Sequence, residues 1–403
     1  MEYLEIVIHF VEIAVFLYLG LTALYLLFFG LVGLFKHSVP IPQDDKVRKI
    51  AVLIPGYKED NVIIDVAEKA LIQDYPKEAY EVIIIADSFS KPTLEKLRVL
   101  PLKVVEVSFE VSTKAKALNK AMDVIGDKYD VALVLDADNI MEVDFLTKIN
   151  KAFNNGFKVV QGHRVAKNIN NSFAILDAIS EEINNYIFRK AHRSVGLSAA
   201  LIGSGMAFDY KLFKETMADI DAVGGFDKQL EMFLLKNKYT IEYLEDAIVK
   251  DEKVQKSEVF ANQRRRWLSA QFIYFGKNIG SALVHLLTKL NIDYFDKVIQ
   301  MGQLPRIILL GLIGIITVFY SFVNFLLPMD YNIFYLTFYQ WGDMLVVIVL
   351  ALLLSIPKSF YNTKTFNALL TLPKGFILMF VSMLKFKGAN KKFIHTQHGE
   401  LSD

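Results

Sequence analysis

The chain has 403 residues, 53% hydrophobic and 22% charged, with a mean hydropathy of +0.32. That is too apolar for an ordinary soluble enzyme and too charged for a wholly embedded one, so it reads as a water-soluble part joined to membrane segments. A net charge of +1 gives nucleic acid no basic face, and the absence of cysteine excludes disulfides, zinc thiolates and thiol nucleophiles.

The first element is an apolar run over residues 5–35, long enough to cross a bilayer with some tilt. It is too long for a signal peptide, lacks a basic leading region and precedes no small-residue cleavage site. A transmembrane helix over residues 1–36 is expected. His9 and Glu12 fall in its first turns and carry no expected function.

Residues 47–268 alternate strands and helical stretches. Strands are expected at 49–55, 80–87, 102–108, 129–138 and 157–165. Their near-continuous Val, Ile and Leu suits strands covered on both faces. Between them, stretches such as "DNVIIDVAEKALIQD" repeat apolar residues at helical spacing. The expected fold is α/β, a doubly wound, mostly parallel sheet whose ligands sit beyond the carboxyl ends of the strands. Pro55 to Glu59, Asp87, and Asp136 with Asp138 fall at those ends. No GxGxxG or phosphate-loop lysine follows the first strand, so a dinucleotide or ATP reading lacks its motif.

Asp136 and Asp138 flank Ala137 at the end of "YDVALVLDAD". Alternation puts both on one face, about 6–7 Å apart along the strand. Like charges so close raise each other's proton affinity unless a cation intervenes. The alternative is a solvated turn, since Asp-x-Asp-Asn is also turn chemistry. With Lys114 and Lys116 of "TKAKALN", the acids describe a pocket for a divalent cation, Mg²⁺ or Mn²⁺, and a phosphorylated ligand. Each lysine taken alone would be an ordinary solvated helix residue.

Residues 269–304 mix apolar residues with Phe, Tyr and Lys at helical spacing, which suits helices lying in the membrane interface. Two further spans are expected at 305–328 and 336–357. The run 366–386, interrupted by Pro373 and Lys374, reads as a fourth span or a bent interfacial segment. Lys and Arg clusters after the spans put residues 36–304 and the basic tail on the cytoplasmic side. Residues 358–403 then hold a re-entrant or interfacial segment followed by that tail.

Taken in order, "VLIPGYKED", the acid Asp87, "TKAKALN", "VLDADN", "IGSGMAF", "GGFDKQLE" and "QRRRW" resemble the motifs of inverting family 2 glycosyltransferases over roughly residues 47–270. The chain looks like a membrane-bound, processive-type member, distantly similar to the cellulose and hyaluronan synthases and to ceramide glucosyltransferase. The resemblance implies a GT-A-like domain and a nucleotide-sugar donor with uridine as the expected base. It also implies a polysaccharide or lipid-linked acceptor at the cytoplasmic face of a plasma or inner membrane.

By the same resemblance, Pro55, Tyr57, Glu59 and Asp87 would hold the base and ribose, and Lys114 would lie near the diphosphate. Asp136 would touch the nucleotide and Asp138 would ligate the metal. Gln263, Arg266 and Trp267 would meet acceptor and diphosphate, with Arg264 and Arg265 adding positive charge. The catalytic base would be Asp227, counted back from the strand at Tyr239. Glu231, one helical turn on, is the alternative. Glu245 and Asp246 are set aside as following that strand. Ser88 stands where relatives often carry a second Asp.

Two other readings remain, a non-catalytic membrane scaffold that kept the fold and a nucleotidyltransferase. Intact Asp87, Asp136 and Asp138 argue against the first, and Gln263-x-x-Arg266-Trp267 against the second.

Overall fold

The computed structural model describes residues 2–35, 45–220, 224–253, 257–326 and 334–385. The segment after the first helix (36–44) and the basic tail (386–403) lie outside them. The strands are β1 Ile50–Tyr57, β2 Tyr80–Asp87, β3 Lys103–Val107, β4 Val131–Val134, β5 Ile140–Met141, β6 Val159–Ala166, β7 Met206–Asp209 and β8 Ile241–Asp251. They form one sheet in the order β3-β2-β1-β4-β7-β6-β8-β5.

Within it β3, β2, β1, β4, β6 and β8 run one way, and β7 and β5 oppose them. The sheet is therefore doubly wound and mostly parallel, as expected. Successive residues of a strand face opposite ways, and the two faces are filled separately. Leu53 and Ile83 join a core with Leu118, Phe208 and Leu230, while Ile54 and Ile84 join another with Leu133 and Phe145. Winding reverses between β1 and β4, which opens a crevice at their carboxyl ends.

Two strand ends differ from expectation. β4 stops at Val134, short of both aspartates. Asn139 ends it: its side-chain oxygen accepts the Asp136 amide at 3.1 Å and its own amide donates to the Asp136 carbonyl at 3.1 Å. Asp136 and Asp138 thus sit in a turn, and strand alternation does not set their spacing. β8 runs on to Asp251, so Glu245 and Asp246 lie inside it, where its pairing with β6 slips from Gly162↔Leu244 to His163↔Ile248.

The helix Ser257–Lys289 is continuous through residue 268, so the expected domain boundary falls within one element, followed by helix Ile292–Gly302. Tyr3–Val32 and Arg306–Leu326 are long and apolar enough to cross a membrane. Phe338–Leu354, with 17 residues, rises only about 26 Å, below the ~30 Å hydrocarbon core. Thr363–Leu369 and Leu372–Leu384 meet at 47°, the geometry of a broken span or a re-entrant pair.

Glu12 has a structural role. Its carboxylate accepts the Tyr320 hydroxyl at 2.5 Å and the amides of Tyr335 and Leu336 at 2.9 Å, tying the first helix to Arg306–Leu326 and to the residues that lead into Phe338–Leu354. The same first helix meets the helix Ile292–Gly302 through Tyr18, whose hydroxyl donates to the Gly302 carbonyl at 2.9 Å. Tyr186 donates back to the Gly30 carbonyl at 3.1 Å.

Candidate active site

The site is built from loops that leave the carboxyl ends of β1, β2 and β4. Tyr57 and Asp87 end their strands in register, and the Lys58 amide donates to the Asp87 carbonyl at 3.0 Å. Lys58 (φ 55°) and Ser88 (φ 60°) both turn through the left-handed region, which non-glycine residues enter rarely. Ser88 uses that turn to donate its hydroxyl to the Asp87 carboxylate at 3.0 Å. Pro55 lies within β1 rather than in the turn after it, because the strand extends to Tyr57. Glu59 is buried at the start of the next turn.

Gly56 brings the three loops together. A Cβ there would lie 2.7 Å from the Phe89 ring and 3.5 Å from the Cβ of Ala137, so the backbone of β1 passes between the β2 loop and the aspartate turn. Beside it, at the ends of β2 and β3, lies an open recess of about 290 Å³ lined by Ser88, Phe89, Leu94, Glu106 and Ser108.

Lys114 joins four of the sequence motifs. It begins the helix Lys114–Ile125, whose cap is the Thr113 hydroxyl accepting the Lys116 amide. Its ammonium donates to Asp136 at 2.5 Å and to the Gly203 carbonyl at 2.7 Å, and stands 5.4 Å from the centre of the Phe226 ring. A cation therefore neutralises Asp136, as the like-charge argument requires. Lys116 turns away and donates to the Val111 carbonyl at 3.2 Å. Gly203 (φ +86°) faces Asp227, whose Cγ lies 3.8 Å from the position of a Cβ there.

The Gly203 loop is held by Gln161, a fully buried amide in β6. Its nitrogen donates to the carbonyls of Ser204 at 3.0 Å and Gly205 at 3.2 Å, and its oxygen accepts the Ile202 amide at 3.1 Å. The sequence marks it only as a polar residue in the apolar run "VVQG".

Asp138 is buried. Its carboxylate accepts the Glu252 amide at 2.9 Å and the Asn139 side chain at 3.2 Å. Behind it Arg164 pairs with Glu181 at 3.0 Å and with Asp251 at 3.3 Å, and Lys253 pairs with Asp251 at 2.8 Å. Burial pushes the Asp251 carboxyl up to about 6, against the pull of those two cations. Among the described residues no group of three or more His, Asp or Glu side chains is placed to hold a metal. The oxygen donors here suit a hard divalent ion only in part, and the phosphate oxygens of a ligand would have to complete its shell.

The two base candidates differ in access. Asp227 keeps 17% of its side-chain surface and Glu231 keeps none. Glu231 accepts the Leu201 amide at 2.8 Å and lies between Lys228 at 3.4 Å and Lys297 at 3.5 Å. Burial alone would raise its carboxyl, but the two ammonium groups hold it below the usual range. Burial raises Asp227 above that range, Lys228 opposing and Glu231 adding to the rise.

The last motif lies on helix Ser257–Lys289, which packs against the start of the Asp227 helix where Gly225 meets Ala270 and Tyr274. The Gln263 side-chain oxygen is buried without a hydrogen-bond partner among the described residues. Arg264 pairs with Asp177 and lies over the Trp267 ring at 4.5 Å, so it is not spare charge. Trp267 is 42% exposed, and burial draws the Arg266 pKa down.

The model of the family described as "Glycosyltransferase like family 2" matches residues 48–270. A curated relative, the beta-monoglucosyldiacylglycerol synthase of Trichormus variabilis, is 26% identical over 232 residues, which cover 54% of this chain and 48% of the relative. The chain thus spans about half the length of that relative. Among solved structures, the mannosyltransferase PcManGT of Pyrobaculum calidifontis, in complex with GDP-Man and Mn²⁺, superposes with a TM-score of 0.52 at 17% identity. That match covers 84% of this chain and 96% of the other. With more than half its length matched by the family model, the chain belongs to glycosyltransferase family 2.

Proposed function

We propose that the protein is a membrane-bound inverting glycosyltransferase that moves a sugar from a UDP-sugar to a lipid acceptor at the cytoplasmic face. The observation that carries this reading is the Lys114 ammonium, which bonds Asp136 on one side and the carbonyl of Gly203, the residue facing Asp227, on the other. Lys114 thus links a carboxylate of the aspartate turn to the loop beside Asp227, which supports reading the two as parts of one site.

In the reaction Asp227 takes the proton of the acceptor hydroxyl as its oxygen bonds to the anomeric carbon. The bond from that carbon to the diphosphate oxygen breaks, and the nucleoside diphosphate leaves with the electron pair. The carboxylate must be ionised to act, and its raised pKa improves it as a base near neutral pH. Asp87, Tyr57 and Glu59 would hold the nucleoside over the recess, and Lys114 with Arg266 would meet the diphosphate.

A divalent cation, Mg²⁺ or Mn²⁺, would be held by Asp138 together with the donor's phosphates. When bound, it would offset charge on the departing diphosphate.

The lipid acceptor is supported by the name of the glycolipid-synthase relative and by two helices long and apolar enough to cross a membrane. Mass spectrometry of products made by the purified full chain, from a panel of UDP-sugars and diacylglycerol, tests the reading. A glycosylated lipid supports it; release of pyrophosphate would favour a nucleotidyltransferase instead.

A further inference from the structure

Behind Asp227 lies a run of buried polar groups that the transfer reaction does not use. Lys228 donates to the Leu201 carbonyl at 3.0 Å and reaches both Glu231 at 3.4 Å and Asp227 at 3.9 Å. Lys297, with 3% of its side-chain surface exposed, approaches Glu231 from the opposite side at 3.5 Å. Its ammonium also donates to the Gln300 side-chain oxygen at 2.8 Å.

From Gln300 the run continues to the membrane. The Gln300 amide nitrogen donates to Asp296 at 2.7 Å and lies 2.8 Å from Nε2 of His192. His192 is fully buried, stacks on Phe29 at 3.7 Å, and has Nδ1 2.6 Å from the Ile187 carbonyl. Tyr25 of the first apolar helix donates to Asp296 at 2.8 Å and touches the same His192 nitrogen at 2.9 Å.

We propose that Lys297 is a positioning residue for the transfer step: by pairing with Glu231 it leaves the Lys228 ammonium to serve Asp227, and it ties that pair to the first helix. This rests on the reading of Asp227 as the base.

The charge arithmetic supports it. The helix Phe226–Lys236 presents Asp227, Lys228 and Glu231, and helix Ile292–Gly302 presents Asp293, Asp296 and Lys297. Arg189 and Lys114 add positive charge at either side. Asp293 is engaged by the Ser198 amide and hydroxyl, and Asp296 by Tyr25 and Gln300. Glu231 is thus shared by Lys297 and Lys228, while Asp227 is faced by Lys228 and, from further off, by Lys114. Without Lys297, Lys228 is the ammonium left within 4 Å of both carboxylates, and Glu231, wholly buried and already its closer partner, holds it more strongly. Asp227 then loses the charge that opposes its protonation.

The test uses the full chain in diacylglycerol proteoliposomes, with UDP release from UDP-glucose followed across pH. UDP binding by calorimetry reports an intact donor site. In Lys297→Met the acid limb of kcat should move up by about one pH unit, cutting turnover on that side about tenfold. Acceptor KM and UDP affinity should stay within about twofold, and Lys297→Arg should restore the limb.

If the methionine variant does not fold, Lys297→Gln carries the same expectation, since it also removes the ammonium but leaves a polar side chain. Activity lost evenly across pH, or an unmoved limb, overturns the proposal. Asp227→Asn separates the two readings: full turnover in that variant refutes Asp227 as base whatever Lys297 does.

Discussion

One turn apart on the same helix, Asp227 keeps 17% of its side-chain surface while Glu231 keeps none. A base must reach an acceptor hydroxyl within hydrogen-bonding distance, and only the first of these can. Asp227→Asn should lower transfer by about 10²–10⁴-fold with UDP affinity little changed. Glu231→Gln should retain more activity but lose thermal stability, because it leaves buried ammonium charge unanswered. Calorimetry, product assays and thermal melts of the two variants check this. A dead Glu231→Gln beside an active Asp227→Asn would reverse the assignment.

The turn around Asp136 gives a second expectation. Lys114 is the cation at that carboxylate, 2.5 Å away, and it also tethers the Gly203 loop. Charge-assisted hydrogen bonds of this kind contribute about 1.5–3 kcal/mol. Lys114→Met should therefore weaken UDP binding tenfold or more by calorimetry, while Lys116→Met, on a side chain turned away, should leave it unchanged.

The sheet was legible because β1 and β2 carry long apolar runs whose ends the turn residues mark, and β3 holds Val104, Val105 and Val107. β7 and β5 were not. "MAFD" and "IM" are too short for any period to show, and β7 is recruited by its neighbours β4 and β6. The aspartates were found with the turn as one of two readings, and Asn139 decides for it by closing on Asp136 through its side chain and its amide. The site residues that stayed hidden act at a distance in sequence. Gln161 meets the loop 41 residues later, and Lys297 meets a glutamate 66 residues earlier (297 − 231 = 66). Phe89 was hidden too, because only the packed position of Gly56 reveals it.

On the proposed reading, Asp138 would hold a divalent ion together with the donor's phosphates. Transfer should stop in excess EDTA and return with Mg²⁺ or Mn²⁺. Asp138→Asn should abolish metal-dependent turnover while thermal melting stays near that of the unsubstituted chain. Undiminished transfer in EDTA would remove the metal from the account.

The orientation makes a separate prediction, on a chain with no native cysteine. Single cysteines at Ser90 and Ser359 should be shielded from an impermeant thiol reagent in intact cells. Tyr335→Cys, at an exposed position just before the helix Phe338–Leu354, should be labelled. Labelling at Ser90 from outside would put the sheet domain on the opposite face.

The central claim is a single displacement at the anomeric carbon, with Asp227 as base and no covalent sugar on the protein. The direct measurement is the anomeric configuration of the product by proton NMR, starting from an α-linked UDP-sugar. The account predicts a β-linked product with one UDP released per sugar transferred. An α-linked product, or sugar retained on the protein after UDP departs, would contradict it.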